Sequence, residues 1–203
     1  MRESQARETR DRIAASAREL FLTSGFSETT ITAIAKAAGV APQTVYSTFG
    51  SKGGIVVALL DGLEEDADGA ERIRDVINEP DPYRQLRLFV AWIRRLFERG
   101  APVIRAAMDA ISDPDVRTFS ETGDERRRRG AEALTRKWSA AQVLRDGLDQ
   151  HDAAERLWLL TSAEAYLQAV DRLEWSPDRY ERWLGDLLER ELLSDRQGDV
   201  PAR

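Results

Sequence analysis

The hydrophobic pattern is sharpest between residues 29 and 52, where it predicts two short amphipathic helices joined at a tight corner. Apolar residues recur at helical spacing and give the first helix one buried face: Ile31, Ile34, Ala35 and Ala38. Thr30 stands where its hydroxyl can cap this helix. Gly39 follows the last apolar residue, in the position where a left-handed residue commonly ends a helix. Pro42 suits the first turn of the second helix, because a backbone N–H has no helical partner there.

The second helix has one apolar and one polar face. Val45 and Phe49 lie four residues apart and point inward. The polar residues that point outward are Gln43, Thr44, Tyr46, Ser47 and Thr48. Such a pair of helices is typical of a helix-turn-helix, whose second helix enters the DNA major groove. Glutamine can bond bidentately to adenine, and hydroxyl side chains commonly meet phosphates. An ordinary corner in another helical bundle is the alternative, but the conjunction of these features favours a DNA reader.

Helical periodicity continues along the chain and predicts an all-α fold of about nine helices, with a small N-terminal helix-turn-helix domain and a larger helical domain. The further helices are predicted at about 5–24, 51–77, 83–99, 103–111, 152–174 and 178–193, with another beginning at Asp113 and Pro114. Gly100 to Pro102 is predicted to separate two helices, because proline interrupts the helical hydrogen bonds. Gly53 and Gly54 are poor helix formers at the start of their helix.

Charge is distributed unevenly along the chain, whose net charge is −6 over 203 residues. Residues 1–55 carry seven Lys/Arg against five Asp/Glu, and the remainder carries 23 against 31. A mildly basic head on an acidic body is compatible with a DNA reader that has a separate regulatory domain. The N-terminus has no apolar leader, and the longest aliphatic run, at 55–60, is too short to span a bilayer, so we expect a cytoplasmic protein.

The residues that enzymes use are scarce. The chain has one histidine, no cysteine and no Gly-rich phosphate loop, so we expect neither an enzyme nor a cofactor. One local cluster of possible metal ligands exists: Asp146, Asp149, His151, Asp152 and Glu155. A solvated loop and a helix cap explain this cluster better than a metal site, since its spacing matches no tetrahedral pattern.

The N-terminal motifs, in their order and spacing, resemble the DNA-binding domain of the TetR family of bacterial transcriptional regulators. The matching stretches are 13–21, Gly25-Phe26, 30–35, Gly39-Val40, Val45-Tyr46-Ser47-Thr48-Phe49 and Ser51-Lys52. The resemblance implies an all-helical homodimer, with a DNA-binding domain at 1–52 and a ligand-binding and dimerisation domain at 53–203. It also implies that Lys52 contacts a phosphate. The DNA-binding residues are then Thr30, Gln43, Thr44, Tyr46, Ser47, Thr48 and Lys52.

The same resemblance implies an effector pocket and a dimer interface in the second domain. Large apolar side chains that can line a pocket are Phe89, Trp92, Phe97, Met108, Phe119, Trp138 and Tyr166, although each can equally fill the core. The helices at 152–174 and 178–193 are expected to pair with those of a second copy. Their interface residues are then Leu159, Ala163, Leu167, Val170, Tyr180, Trp183, Leu184, Leu187 and Leu188, although the stripe on the last helix can also be core.

The function that follows is a transcriptional regulator, with repression as the family's default. Such a repressor binds a palindromic operator as a dimer and is released when a largely apolar small molecule shifts its conformation. The alternative is a helical ligand-binding or adaptor protein that no longer binds DNA specifically. The run Arg126–Arg129 can be a second nucleic-acid patch or an ion-paired solvated face, and its acidic neighbours favour the latter.

Overall fold

The computed structural model describes the backbone of residues 2–64 and 67–195, and its regular elements are helical. The ten α-helices are α1 (Arg2–Glu28), α2 (Ile31–Ala38), α3 (Pro42–Phe49), α4 (Lys52–Glu64), α5 (Ala67–Asn78), α6 (Pro82–Asp109), α7 (Pro114–Ala140), α8 (Gln150–Leu160), α9 (Ala163–Leu167) and α10 (Pro177–Leu192). A π-helical segment, Gln168–Arg172, follows α9. The predicted all-α class is confirmed.

The chain divides into two compact units. Unit 1 comprises residues 1–66 and 99–122, and unit 2 comprises 67–98 and 123–203. The functional boundary predicted after residue 52 stays a prediction. None of the described helices is both long and apolar enough to cross a membrane, and the cytoplasmic location also stays a prediction.

Unit 1 is built around a closed apolar core to which α1, α2, α3 and α4 all contribute. Ile13, Ile34, Val45 and Ile55 have no exposed surface. The helical path of α1 is interrupted at Gly25, whose φ of 76° is a left-handed conformation that glycine adopts without strain. The turn at Gly25 brings the ring of Phe26 to 5.6 Å from that of Phe21.

Proline 102 does not end a helix, contrary to the prediction of two helices at 83–99 and 103–111. Instead α6 runs continuously from Pro82 to Asp109. Proline cannot donate to the carbonyl one turn earlier, and its ring crowds that turn. The carbonyl left without that donor is Glu98's, and the next carbonyl, Arg99's, accepts a hydrogen bond of 2.8 Å from the Arg18 guanidinium. Burial of Ala101 and Val103 on either side of the proline also favours the continuous helix.

The prediction of one helix over 152–174 is likewise wrong, because the chain leaves the helical path at Thr161 and Ser162. Ser162 adopts an extended conformation, and its hydroxyl accepts a hydrogen bond from the Ala165 N–H, which starts α9. The helix predicted at 51–77 is represented by α4 and α5, and residues 65–66 between them lie outside the described residues.

Unit 2 has its own core, which contains a buried polar contact. Trp138 is fully buried, and its indole N–H donates to the Gln85 side chain over 2.9 Å. The Gln85 amide in turn donates to the Val76 carbonyl over 2.7 Å. Tyr180, Leu184, Leu188 and Leu192 of α10 are fully buried in the same unit. Because every polar group in the Trp138–Gln85 pair finds a partner, the burial of that pair costs little.

Candidate nucleic-acid interface

Local signals fix the corner between α2 and α3. The Thr30 hydroxyl accepts a hydrogen bond of 3.1 Å from the Ala33 N–H, as predicted for the cap of α2. Gly39 has a left-handed φ of 66°, and the next N–H, that of Val40, donates to the Ala35 carbonyl over 2.9 Å. These bonds satisfy the last carbonyls of α2 and turn the chain at once into α3.

The start of α3 lacks a side-chain cap, because Ala41 stands at the cap position. Pro42 occupies the first turn, where no N–H is needed. Val45 is fully buried in the core of unit 1. The helix is therefore anchored by one face, which leaves the opposite face to solvent.

The exposed face of α3 carries most of the predicted DNA-binding residues. Tyr46 is 49% exposed, and Gln43 and Ser47 are also exposed. Thr44 and Thr48 are half-buried. The hydroxyls of Ser47 and Thr48 both donate to the Thr44 carbonyl, at 3.0 and 2.7 Å, so they must rotate before they can donate to DNA. Gln43 and Tyr46 are consequently the side chains best placed for direct readout.

An open groove of about 590 Å³ lies between the first half of α1 and α3. Its lining includes Arg7 and Arg10 on one side and Thr44, Ser47 and Thr48 on the other. Arg10 donates to the Thr48 carbonyl over 3.4 Å, and its guanidinium lies 4.7 Å from the centre of the Phe49 ring. Arg10 carries no signal of these contacts in the sequence, because its partners are nearly forty residues away.

Lys52 connects the start of α4 to the end of α1. Its ammonium donates to the carbonyls of Phe26 and Thr29, at 2.6 and 2.9 Å, and lies 4.0 Å from the centre of the Phe26 ring. Burial lowers the pKa of Lys52, and the charge of Glu28 opposes that shift. Two of the three ammonium donors are thus used inside the protein, which leaves one for a phosphate.

Three structural roles in unit 1 carry no distinct signal in the sequence. Thr29, next to the capping Thr30, is 2% exposed, and its hydroxyl donates to the Gly25 carbonyl over 2.7 Å. A side chain on Gly53 would collide with the carboxylate of Asp113, and one on Gly54 would collide with the Phe49 carbonyl. Gly53 therefore lets Asp113 approach the start of α4 closely, and Gly54 does the same for the Phe49 carbonyl. The Ser51 hydroxyl caps this helix by accepting from the Gly54 N–H.

The residues predicted to line a pocket are divided between the two units. Met108 and Phe119 belong to unit 1, and the other five belong to unit 2. Within unit 2 the rings of Phe97 and Tyr166 are 5.7 Å apart, and those of Phe89 and Trp92 are 5.9 Å apart. Trp138 is fully buried beside Gln85 and is a core residue.

The predicted dimer residues divide into an outer and an inner set. Leu159 is 64% exposed and Trp183 is 39% exposed. Ala163, Val170 and Leu187 are half-buried and Leu167 is 8% exposed. Three of the predicted interface residues have no exposed surface: Tyr180, Leu184 and Leu188. Their assignment to the interface is corrected. These three side chains of α10 face the core of their own unit, so they have no exposed atoms that a second copy could contact.

Two charged clusters have local explanations. The Asp149 side chain caps α8 by accepting from the Asp152 N–H over 2.9 Å. Among the described residues, no group of three or more His, Asp or Glu is placed to hold a metal ion. In the arginine run, Arg127 pairs with Asp124 at 2.8 Å and Arg129 with Glu125 at 3.5 Å.

Comparison with known proteins supports the reading of unit 1. Residues 13–59 match the family model described as bacterial regulatory proteins, tetR family. The HTH-type transcriptional regulator TtgR of Pseudomonas putida is 37% identical over 83 residues, or 41% of this chain and 40% of TtgR. The match therefore spans about two fifths of that relative's length.

Solved structures resemble nearly the whole chain. A putative transcriptional regulator from Saccharomonospora viridis, solved with choline, aligns with a TM-score of 0.75 at 21% identity, covering 92% of this chain and 98% of that one. NalD, the secondary repressor of the MexAB-OprM multidrug efflux pump in Pseudomonas aeruginosa, aligns with a TM-score of 0.73 at 22% identity, covering 95% and 99%. At such identities the likeness establishes the fold.

Proposed function

We propose that this chain is a sequence-specific DNA-binding transcriptional regulator of the TetR family, because residues 13–59 match the model of that family and 83 residues are 37% identical to a regulator of this kind. The observation that carries the proposal is the exposed face of α3, where Gln43 and Tyr46 project from a helix whose other face is locked into a core by Val45. A helix so presented fits the major groove, and a glutamine on it can bond to an adenine edge.

Phosphate contacts would position α3 in the groove. The Thr30 oxygen accepts from the backbone, which leaves its O–H to donate to a phosphate at the positive end of α2. The remaining donor of Lys52 can meet a second phosphate. Such contacts supply affinity and orientation, while base contacts supply the choice of sequence.

The proposed regulator acts as a homodimer on a palindromic operator, because one helix-turn-helix reads too few base pairs. Exposed apolar side chains of α8, α10 and the segment between them support this assembly: Leu159, Leu173 and Trp183. In this proposal residues 1–52 bind DNA, and residues 53–203 bind the effector and the second copy.

Repression with release by a small-molecule effector completes the proposal. An effector that binds better to one arrangement of the recognition helices shifts the population toward it, and so weakens operator binding. The aromatic side chains of unit 2, among them Phe97 and Tyr166, offer a largely apolar ligand suitable contacts.

The test is a fluorescence-anisotropy titration with DNA from upstream of the protein's own gene, against scrambled DNA at several salt concentrations. Tyr46→Ala removes a half-exposed ring from α3 and should weaken specific binding about tenfold, with an unchanged thermal unfolding midpoint. The control Tyr83→Phe alters a tyrosine of unit 2 and should leave DNA binding intact. A genome-wide selection of bound fragments that yields no preferred sequence would favour a helical adaptor that does not read DNA.

A further inference from the structure

Three buried donors of unit 2, which we call the donor cluster, belong to Arg127, Trp158 and Tyr180. The Arg127 Nε–H, the Trp158 indole N–H and the Tyr180 hydroxyl have no hydrogen-bond partner within the described part of the chain. Buried polar groups in proteins are nearly always paired, so each exception requires an explanation. None of the three belongs to the proposed DNA interface in unit 1.

The end of α8 explains how Arg127 comes to be buried. In an unbroken helix the Trp158 carbonyl would accept from the N–H of residue 162, but Ser162 is the extended cap of α9. The Arg127 guanidinium fills that place by donating to the Trp158 carbonyl over 2.8 Å, at the negative end of α8. Another of its nitrogens donates to Asp124 over 2.8 Å. The Nε–H remains without an acceptor.

Two groups of aromatic contacts involve members of the donor cluster. The Arg127 guanidinium lies 5.5 Å from the Trp158 ring centre, and that of Arg128 lies 4.4 Å from it. Tyr180 has no exposed surface and stands edge-on to the Tyr166 ring at 5.1 Å. Tyr180 lies within electrostatic range of Arg127, whose positive charge acts to lower the pKa of the Tyr180 hydroxyl.

The protonation states make the cluster a set of donors. Burial raises the pKa of Tyr180, as does Tyr166, and the nearby Arg127 charge only partly offsets this. The phenol therefore keeps its proton. A guanidinium and an indole N–H donate and never accept. What completes such a cluster is an acceptor. Arg127 and Arg128 both place a guanidinium near the Trp158 ring, and guanidiniums bond most strongly to an acceptor that carries negative charge.

We propose that the donor cluster is the polar end of a binding site for an aromatic carboxylate. The carboxylate oxygens would accept from Arg127, Trp158 and Tyr180, and the ligand's ring would pack against Tyr166 and Phe97, whose centres are 5.7 Å apart. The π-helical segment Gln168–Arg172 begins two residues after Tyr166, and such segments often occur at functional sites. The inference rests on the proposed function, since it assigns the chemical class of the effector.

The test is isothermal titration calorimetry of the DNA-free protein with benzoate, 2-naphthoate and indole-3-acetate. Benzylamine and 2-naphthylmethylamine serve as probes with the same rings and the opposite charge. At least one carboxylate should bind and both amines should fail. Tyr180→Phe and Trp158→Phe each remove one donor but keep a ring, and should weaken carboxylate binding about tenfold. Tyr83→Phe, whose hydroxyl already donates to the Ser194 carbonyl, should not change it.

A second readout separates binding from folding. Tyr180→Phe removes an unpaired buried hydroxyl, so its unfolding midpoint should not fall even though its ligand affinity does. In a ¹H–¹⁵N spectrum, the indole resonance absent from Trp158→Phe should move downfield when the carboxylate binds. The proposal is overturned if no carboxylate of the panel binds, if the amines bind as well as the acids, or if Tyr180→Phe binds with unchanged affinity.

The outcome is distinguishable from a failure of the proposed function, because the titrations use no DNA. Carboxylate binding without any operator binding would contradict the regulator and leave the site intact. Operator binding without carboxylate binding would contradict the site and leave the regulator intact.

Discussion

Lys52 makes contacts within the protein that its position in the sequence does not indicate. The resemblance assigns it a phosphate, while the structure gives its ammonium two carbonyls, those of Phe26 and Thr29. These bonds hold the end of α1 to the start of α4. The lysine therefore has a structural role within unit 1, and a phosphate contact would be an addition to that role.

Replacing Lys52 with methionine should lower the free energy of unfolding by about 1–2 kcal/mol, because the two carbonyls lose a charge-assisted donor. Urea unfolding measures the change. Lys36→Met, at an exposed position in the last turn of α2, is the matched control and should change stability by less than about 0.5 kcal/mol. Equal effects in the two variants would mean that the carbonyl bonds contribute nothing to stability.

The lowered pKa of Lys52 adds a dependence on pH. Between that lowered value and the ordinary lysine value, the unfolded chain holds more protons on this residue than the folded chain does. The contribution of Lys52 to the free energy of unfolding therefore rises with pH in that window. The difference in stability between the wild type and Lys52→Met should widen from neutral to alkaline pH, and a constant difference would contradict the shift.

At the scale of helices, the elements that could be predicted are those whose ends are set by neighbouring residues. Thr30 and Gly39 delimit α2, and the Ser176 hydroxyl caps α10 through the Arg179 N–H. The helix that was predicted to end at Gly100 has a distant contact instead. Arg18 meets the Arg99 carbonyl from 81 residues away, in the turn before Pro102, and no local pattern contains that contact.

The sequence also did not reveal which apolar residues of α10 face the core of their own unit. Periodicity identifies an apolar stripe but not what covers it. Tyr180 and Leu184 face the core of their own unit, while Trp183, between them in sequence, is 39% exposed. The donor cluster was missed as a group because its members come from α7, α8 and α10, and only the fold brings them together.

Two glycines of α4, Gly53 in its first turn and Gly62 in its last, lead to predictions of opposite sign. Gly53→Ala should destabilise the protein by about 1–3 kcal/mol, because the new methyl group would collide with the Asp113 carboxylate that caps α7. Gly62→Ala, on the same helix with open space around it, should stabilise by about 0.5–1 kcal/mol. Thermal or urea unfolding measures both. Stabilisation by both substitutions would show that Gly53 is not held close to Asp113.

At the scale of the whole molecule, the exposed leucines predict how copies associate. Leu159→Glu places a charge on the proposed dimer surface, where the leucine is 64% exposed. We expect weaker self-association in sedimentation equilibrium and a matching loss of operator affinity, because each half-site needs its own α3. Leu22→Glu, at a 55% exposed leucine of α1, is the control and should leave the association unchanged. An unaltered dimer in Leu159→Glu would remove α8 from the interface.

The positions of Arg10 and Lys52 have a consequence for how DNA binding responds to ionic strength. Each cation that meets a phosphate displaces condensed counterions, and this displacement is what makes DNA binding weaken as salt rises. Arg10 and Lys52 keep their positive charges while they donate to carbonyls of their own chain, so these bonds hold both charges in place before DNA arrives. Replacing a cation that meets a phosphate with a neutral residue should therefore reduce the slope of operator affinity against salt concentration.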